Sequence, residues 1–125
     1  TTIVVDKDNI QSIISEFRGN KDFLRWKPQN TELGYTGNII NIRGYNGVIE
    51  EIQVNTPKMI YAKEPPKIAK SIIGETAWNA IKKETGLEGG LGHKYYERYR
   101  IIDKESEEAQ RLIRLSVAYY SHFVD

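Results

Sequence analysis

The stretch Glu51-Ile52-Gln53-Val54-Asn55-Thr56 decides how this chain is read. Side chains alternate along a strand, so Glu51, Gln53 and Asn55 project from one face, while Ile52 and Val54 join Val48 on the other. An apolar face backed by a row of three polar groups has two explanations. It is the solvated side of an ordinary antiparallel sheet, or it lines a cleft.

Just upstream lies an apolar run, Ile39-Ile40-Asn41-Ile42-Arg43, followed by Tyr45-Asn46-Gly47-Val48. Asn-Gly between two such runs signals a two-residue hairpin turn. That turn sets Ile42 opposite Glu51, Ile40 opposite Gln53 and Arg43 opposite Glu50. Glu50 then has an ion partner on the neighbouring strand, and Glu51 has none. Glu51 is therefore the candidate for chemistry.

The fold class expected is α+β, a small mixed or antiparallel sheet with flanking helices followed by a helical C-terminal segment. Thr2 to Val5 is a short β-branched strand, and Ile10, Ile13, Ile14 and Phe17 recur at the spacing of a core-facing helix, with Asp6 or Asp8 as its cap. Residues 18 to 33 read as a polar connection holding a short strand at Phe23 to Trp26. Thr56-Pro57 opens a helix that Pro65-Pro66 should stop. Two further helices are expected to end at Gly74 and Gly86. A terminal one, with Ala109, Leu112, Ser116, Tyr119, Tyr120 and Phe123 on one side, should pack on the sheet. Residues 1–56 thus form the sheet part of a single domain and residues 57–125 the helical part.

The chain has 125 residues, 39% of them hydrophobic, enough for a real core, and no run approaches the ~18 apolar residues of a membrane span. Its 18 basic and 17 acidic residues leave a net charge of +1, so any site for a polyanion must be local. Without cysteine there are no disulfides or thiolate metal sites. Gly86-Leu87-Glu88-Gly89-Gly90-Leu91-Gly92-His93 fits neither dinucleotide nor P-loop spacing. It reads as a flexible loop delivering His93 to the cleft, or as a plain linker with glycine caps. His93 to Arg100 interleaves basic and aromatic residues, as an ordinary amphipathic helix or a base-stacking segment would. His122 is read as a surface residue.

The order Gly34-Tyr35, hairpin, Glu51-Ile52-Gln53-Val54-Asn55-Thr56, Met59, Ala62-x-Glu64 and Gly92-His93-x-x-Tyr96 resembles the C-terminal part of the RelA/SpoT-type alarmone synthetase domain, over roughly residues 1 to 100. The resemblance implies a nucleotidyltransferase-like fold, a cytoplasmic enzyme, and pyrophosphoryl transfer from ATP to the 3′-hydroxyl of a guanosine nucleotide. It assigns Tyr35 to stacking on the acceptor base and Glu51 to accepting the 3′-hydroxyl proton or holding Mg2+ with an upstream Asp. Gln53, Asn55 and Thr56 would form the nucleotide-binding strand, and His93 would contact a phosphate.

The chain departs from the family at several places. Asn55 stands where the family carries Arg, Thr36-Gly37-Asn38-Ile39 replaces Arg-Ser-x-His, and Thr31 and Leu33 replace the Lys and Asn that hold the base. By the same resemblance the ATP-binding elements lie upstream of Thr1, so the chain is expected to be a fragment holding the acceptor half and to be inactive alone. Two other readings are a non-catalytic nucleotide-binding or phage-associated structural module, and a toxin domain that pyrophosphorylates the 3′ end of tRNA.

Overall fold

The computed structural model describes all 125 residues. Four strands, β1 (Thr2–Val4), β2 (Phe23–Asn30), β3 (Thr36–Arg43) and β4 (Ile49–Asn55), form one sheet in the order β1-β4-β3-β2. β1 runs parallel to β4, and the other pairs are antiparallel. The helices are α1 (Ile10–Arg18), α2 (Pro57–Lys63), α3 (Pro66–Ile73), α4 (Glu75–Thr85), α5 (Leu91–Tyr99) and α6 (Glu107–Ser121). The α+β class follows directly.

The sheet separates two cores. On one face α1 lays Ile14, with Ile10, Ile13 and Phe17, against Ile40, Ile52 and Val54. No side chain caps α1; a short 3-10 turn over Lys7–Asn9 leads into it instead. On the other side, α2 to α6 gather around Tyr61, Trp78, Tyr119, Tyr120 and Phe123, and only Val4 and Tyr35 reach them from the sheet side. That second sheet face is thus covered near the end of β4 and open towards its beginning. The terminal helix α6 packs on α5 and α2, not flat on the sheet as its aromatic stripe suggested.

The helix boundaries follow their local chemistry. Thr56 Oγ1 accepts from the Met59 N–H and Pro57 begins α2, so an N-cap and a first-turn proline act together. Prolines 65 and 66 divide α2 from α3, and Gly86 takes the left-handed conformation, φ 67°, that closes α4.

Two expectations are corrected. The strand expected at Phe23 to Trp26 continues to Asn30, because Pro28 lies on an edge strand, where a missing N–H is tolerated. The hairpin register is also shifted by one: Ile40 faces Ile52, Asn41 faces Glu51, Ile42 faces Glu50 and Arg43 faces Ile49. The Gly44 N–H donates to Val48 O at 2.8 Å and the Asn46 side chain accepts from Val48 N–H at 3.1 Å, so the turn spans residues 44–48.

Burial explains the longer turn. A two-residue Asn-Gly turn would set Ile40 and Ile42 on the polar side with Glu51 and Gln53. The observed register sets them with Ile52 and Val54, gaining about 1.5–3 kcal/mol for each well-buried aliphatic side chain. The proposed Arg43–Glu50 pair is consequently absent, and Glu50 is exposed on the α1 side of the sheet.

Candidate functional site

The open sheet face is built in rows that the strand register defines. Arg25, Asn41 and Glu51 form one row across β2, β3 and β4, and Lys27, Ile39, Gln53 and Thr2 form the next. Beyond them come Gln29 beside Gly37 and Asn55 beside Val4. Along β4 the polar side chains pass from exposed Glu51 through half-buried Gln53 to buried Asn55, tracing the face as it runs under the helices. Glu51 is the only carboxylate among the strand residues of this face. Neither it nor Arg25 nor Lys27 joins an ion pair.

Where the face meets the helices there is a cavity of about 420 Å³, lined among others by Gln29, Leu33, Tyr35, Lys63, His93 and Tyr96. Tyr35 is held there by its surroundings. Gly34 has φ 92°, and a Cβ on it would lie 2.9 Å from Val117 Cα, so only glycine lets the loop lie on α6. Buried Ser116 donates to Leu33 O at 2.7 Å, and Thr31 Oγ1 accepts from the Tyr35 N–H at 3.1 Å. These contacts fix a loop that carries Tyr35 into the cavity wall, with its ring edge-on to Tyr120 at 6.0 Å.

Lys63 joins the cavity to the sheet rows. Its Nζ donates to Gln53 Oε1 at 3.1 Å, pairs with Glu64 at 3.2 Å, and lies 5.0 Å from the Tyr35 ring centroid. A cation held over one face of Tyr35 leaves little of that ring free, and Tyr35 is only 8% exposed. Tyr96, at 52% exposed, presents the accessible ring in the same cavity.

The glycine run is a packing device. A Cβ at Gly89 would meet the Tyr61 ring at 3.0 Å, and one at Gly92 would overlap the Tyr120 hydroxyl. α5 starts inside the run, at Leu91, so His93 is presented by its first turn and not by a flexible loop. His93 lines the cavity, with Nε2 3.9 Å from Glu97 Oε1. At the cavity mouth the Tyr99 hydroxyl donates to Glu32 Oε2 at 2.8 Å. That bond to a carboxylate raises the Tyr99 pKa, because losing the proton would set two negative charges side by side.

The structure brings Tyr35, Gln53 and His93 to one region and places Glu51 on the same sheet face, next to Gln53 in the row beyond. Asn55 and Thr56 lie elsewhere. Both Nδ2 donor positions of Asn55 are used, on Tyr35 Oη at 3.0 Å and Thr36 O at 2.8 Å, and its Oδ1 accepts from the Thr56 N–H at 2.8 Å. Thr56 caps α2. Neither lines the cavity beside Tyr35 and Tyr96. Three cations were missed in the sequence, Arg25, Lys27 and Lys63, and Tyr96 entered it only as part of the Gly92-His93-x-x-Tyr96 pattern. Extending the alternation of Arg25, Lys27 and Gln29 through Pro28 would have revealed the first two.

Glu51 is the one carboxylate of the open sheet face that would hold a magnesium ion, alongside nucleotide phosphates and water. No group of three or more His, Asp or Glu side chains comes together anywhere in the chain, and Glu51 stands without a second carboxylate on its face. Magnesium fills about six oxygen positions largely with water and substrate phosphates and takes one or two from carboxylates. No step is therefore assigned to a metal held by this chain alone.

No protein-family model matches the chain. It is 38% identical over 120 residues to the (p)ppApp synthetase toxin Tas1 of Pseudomonas aeruginosa (strain UCBPP-PA14), an alignment covering 95% of this chain and 27% of that protein. A chain from the crystal structure of the complex between the Type VI effector Tas1 and its immunity protein superposes with a TM-score of 0.86 at 36% identity, covering 98% of this chain and 63% of that one. The chain spans about a quarter of the curated relative's length, and it is homologous to a part of that synthetase toxin.

Proposed function

We propose that this chain forms the acceptor side of a pyrophosphokinase that modifies the 3′-hydroxyl of an adenosine nucleotide. The observation that carries the reading is the continuity between an aromatic-walled cavity and an unpaired carboxylate, Glu51, on one open sheet face. In this reading the purine lies against Tyr96 with Tyr35 as the inner wall, and the ribose crosses the Gln53 row. The 3′-hydroxyl reaches Glu51.

The 3′-oxygen attacks the β-phosphorus of ATP while its proton passes to the Glu51 carboxylate. A bond forms between that oxygen and the β-phosphorus, the bond between the β-phosphorus and the oxygen bridging to the α-phosphorus breaks, and AMP departs. Catalysis of this kind rests almost wholly on positioning and charge, so a base fixed on a rigid strand beside a bound ribose suits it.

Adenine is favoured over the guanine that the family resemblance implies. The homologous protein is a (p)ppApp synthetase by name. Buried Leu33 replaces an amide at the cavity wall with an apolar side chain. Leu33 offers guanine O6 no donor, and an unpaired polar atom in such a site weakens binding. The exposed ring of Tyr96 can stack either purine.

Calorimetric titration with ADP, GDP and CDP tests the reading, together with a transfer assay on Glu51→Gln. ADP should bind more tightly than GDP or CDP, and Tyr96→Ala should weaken it roughly 5- to 150-fold, the range for loss of one base–aromatic stack. Glu51→Gln should bind ADP normally and abolish transfer wherever native protein supports it. Equal binding of all three nucleotides, or none, would refute the assignment.

A further inference from the structure

One hydroxyl at the wall of the cavity is left unused by the fold. Tyr120 is the most deeply buried of the tyrosines that line the cavity, at 3% exposed. The other buried phenols are engaged: Tyr61 and Tyr119 donate to Leu87 O and Glu88 O, each at 2.5 Å, and Tyr35 Oη accepts from Asn55 Nδ2 at 3.0 Å. Tyr120 Oη has no hydrogen-bond partner in the chain, yet it is not sealed in the core, since the one enclosed side-chain polar atom without a partner is Trp78 Nε1. Nor can the ring turn its hydroxyl away. Tyr35 holds it edge-on at 6.0 Å and Tyr119 at 5.8 Å, and Gly92 lies so close to Oη that a Cβ there would overlap it. Burial raises the pKa of this phenol well above the ordinary tyrosine value, so it keeps its proton and remains a donor. A fixed, unpartnered hydroxyl facing a cavity is costly unless a ligand supplies the partner.

We infer that the Tyr120 hydroxyl donates a hydrogen bond to N1 of the acceptor's adenine, and so fixes how deep the base sits and which edge it turns inward. The inference rests on the proposed acceptor site and adds the contact that reads the base. In that site the ribose lies over Gln53, outside the cavity, so the purine enters with its N9 end outward. The six-membered ring then leads, and N1 lies at its far end. Stacking on Tyr96 uses the face of the base and leaves this edge free to meet a donor on the innermost wall. Adenine N1 is a bare acceptor, which suits an O–H with no other use. Guanine instead carries a proton on N1 and an oxygen on the neighbouring carbon. A single hydroxyl oxygen cannot lie in line with both, and Leu33 supplies no partner for the one left over. The adenine preference then rests on a contact as well as on the apolar wall.

Calorimetry with ADP, 1-deaza-ADP and 7-deaza-ADP on native chain, Tyr120→Phe and Tyr96→Ala provides the test, with a thermal melt of each variant. Native chain should bind 1-deaza-ADP, in which a C–H replaces N1, about 2- to 13-fold more weakly than ADP, the range for one neutral hydrogen bond. It should bind 7-deaza-ADP as it binds ADP. Tyr120→Phe should weaken ADP by the same factor, melt no lower than native chain, and no longer distinguish ADP from 1-deaza-ADP. A tyrosine with only a packing role would not produce that non-additivity. If Tyr96→Ala weakens ADP while Tyr120→Phe does not, or still discriminates against 1-deaza-ADP, the cavity assignment stands and the Tyr120 contact falls. A loss with 7-deaza-ADP in place of 1-deaza-ADP would turn another edge of the base inward and overturn the contact with N1. A lower melting temperature in Tyr120→Phe would mean that the hydroxyl has a partner within the chain, which also overturns it. Absence of ADP binding by native chain would overturn both the site and the contact.

Discussion

Replacing Gly92 by alanine tests whether the glycine run is packing or linker. In an open helix the change would stabilise the chain by up to about 0.5–1 kcal/mol, because glycine loses more backbone freedom on folding. In this structure the new Cβ would overlap Tyr120 Oη and lie 2.9 Å from Ala62 O. Tyr120 has no room to retreat. It is 3% exposed, with Tyr35 at 6.0 Å and Tyr119 at 5.8 Å between ring centroids. Overpacking of this kind costs about 1–3 kcal/mol or more, so it outweighs the helix gain and sets the sign. Unfolding entropy for a chain of 125 residues is about 0.26 kcal/mol/K, so each kcal/mol moves Tm by about 4 °C. Gly92→Ala should therefore lower Tm by about 4–12 °C in a circular-dichroism melt. Combined with Tyr120→Leu, which vacates the space, it should cost less than the sum of the two single changes by at least about 1 kcal/mol. A Tm that rises or stays constant in Gly92→Ala would refute close packing of α5 on Tyr120.

Burial holds the phenols of Tyr119 and Tyr120 well above the usual tyrosine range. A pKa raised on folding stabilises fully below the unfolded value, near 10, and that stability is lost as pH rises past it, by about 1.4 kcal/mol per phenol per pH unit. Chemical denaturation should show stability falling above about pH 10, and less steeply in Tyr120→Phe; a flat profile to pH 11 would contradict the burial of these hydroxyls. Asn55→Ala should strand Tyr35 Oη, Thr36 O and the Thr56 N–H, costing about 1–3 kcal/mol, and should weaken ADP through displacement of Tyr35. Normal stability with reduced ADP affinity would instead mean that Asn55 touches the nucleotide itself.

Much of the fold was legible because it depends on local rules. The Ile10 to Phe17 spacing, the Thr56-Pro57 start and the Gly86 stop concern a few neighbouring residues each, and each holds in the structure. The polar row of Glu51, Gln53 and Asn55 was equally readable, since alternation within one strand does not depend on its partner. Pairing was not. Asn46-Gly47 favours a short turn locally, and the burial of Ile40 against Ile52 overrode it, a choice made between strands. The same holds for the site. Arg25 and Lys27 join Glu51 only through β3, and Lys63 meets Gln53 only because α2 folds back over β4. The Ser116 hydroxyl fixes the Tyr35 loop from 83 residues away. The alternation of Arg25, Lys27 and Gln29 is periodic within β2, but the contacts between elements leave no such trace in the sequence.

The acceptor assignment is tested most directly by a crystal structure of the chain with ADP bound. The account predicts the adenine against Tyr96, with Tyr35 forming the inner wall, and the ribose over Gln53. It also predicts the 3′-oxygen within hydrogen-bond distance of a Glu51 carboxylate oxygen, about 2.6–3.2 Å. A nucleotide seated elsewhere, or one whose 3′-hydroxyl points away from Glu51, would contradict it.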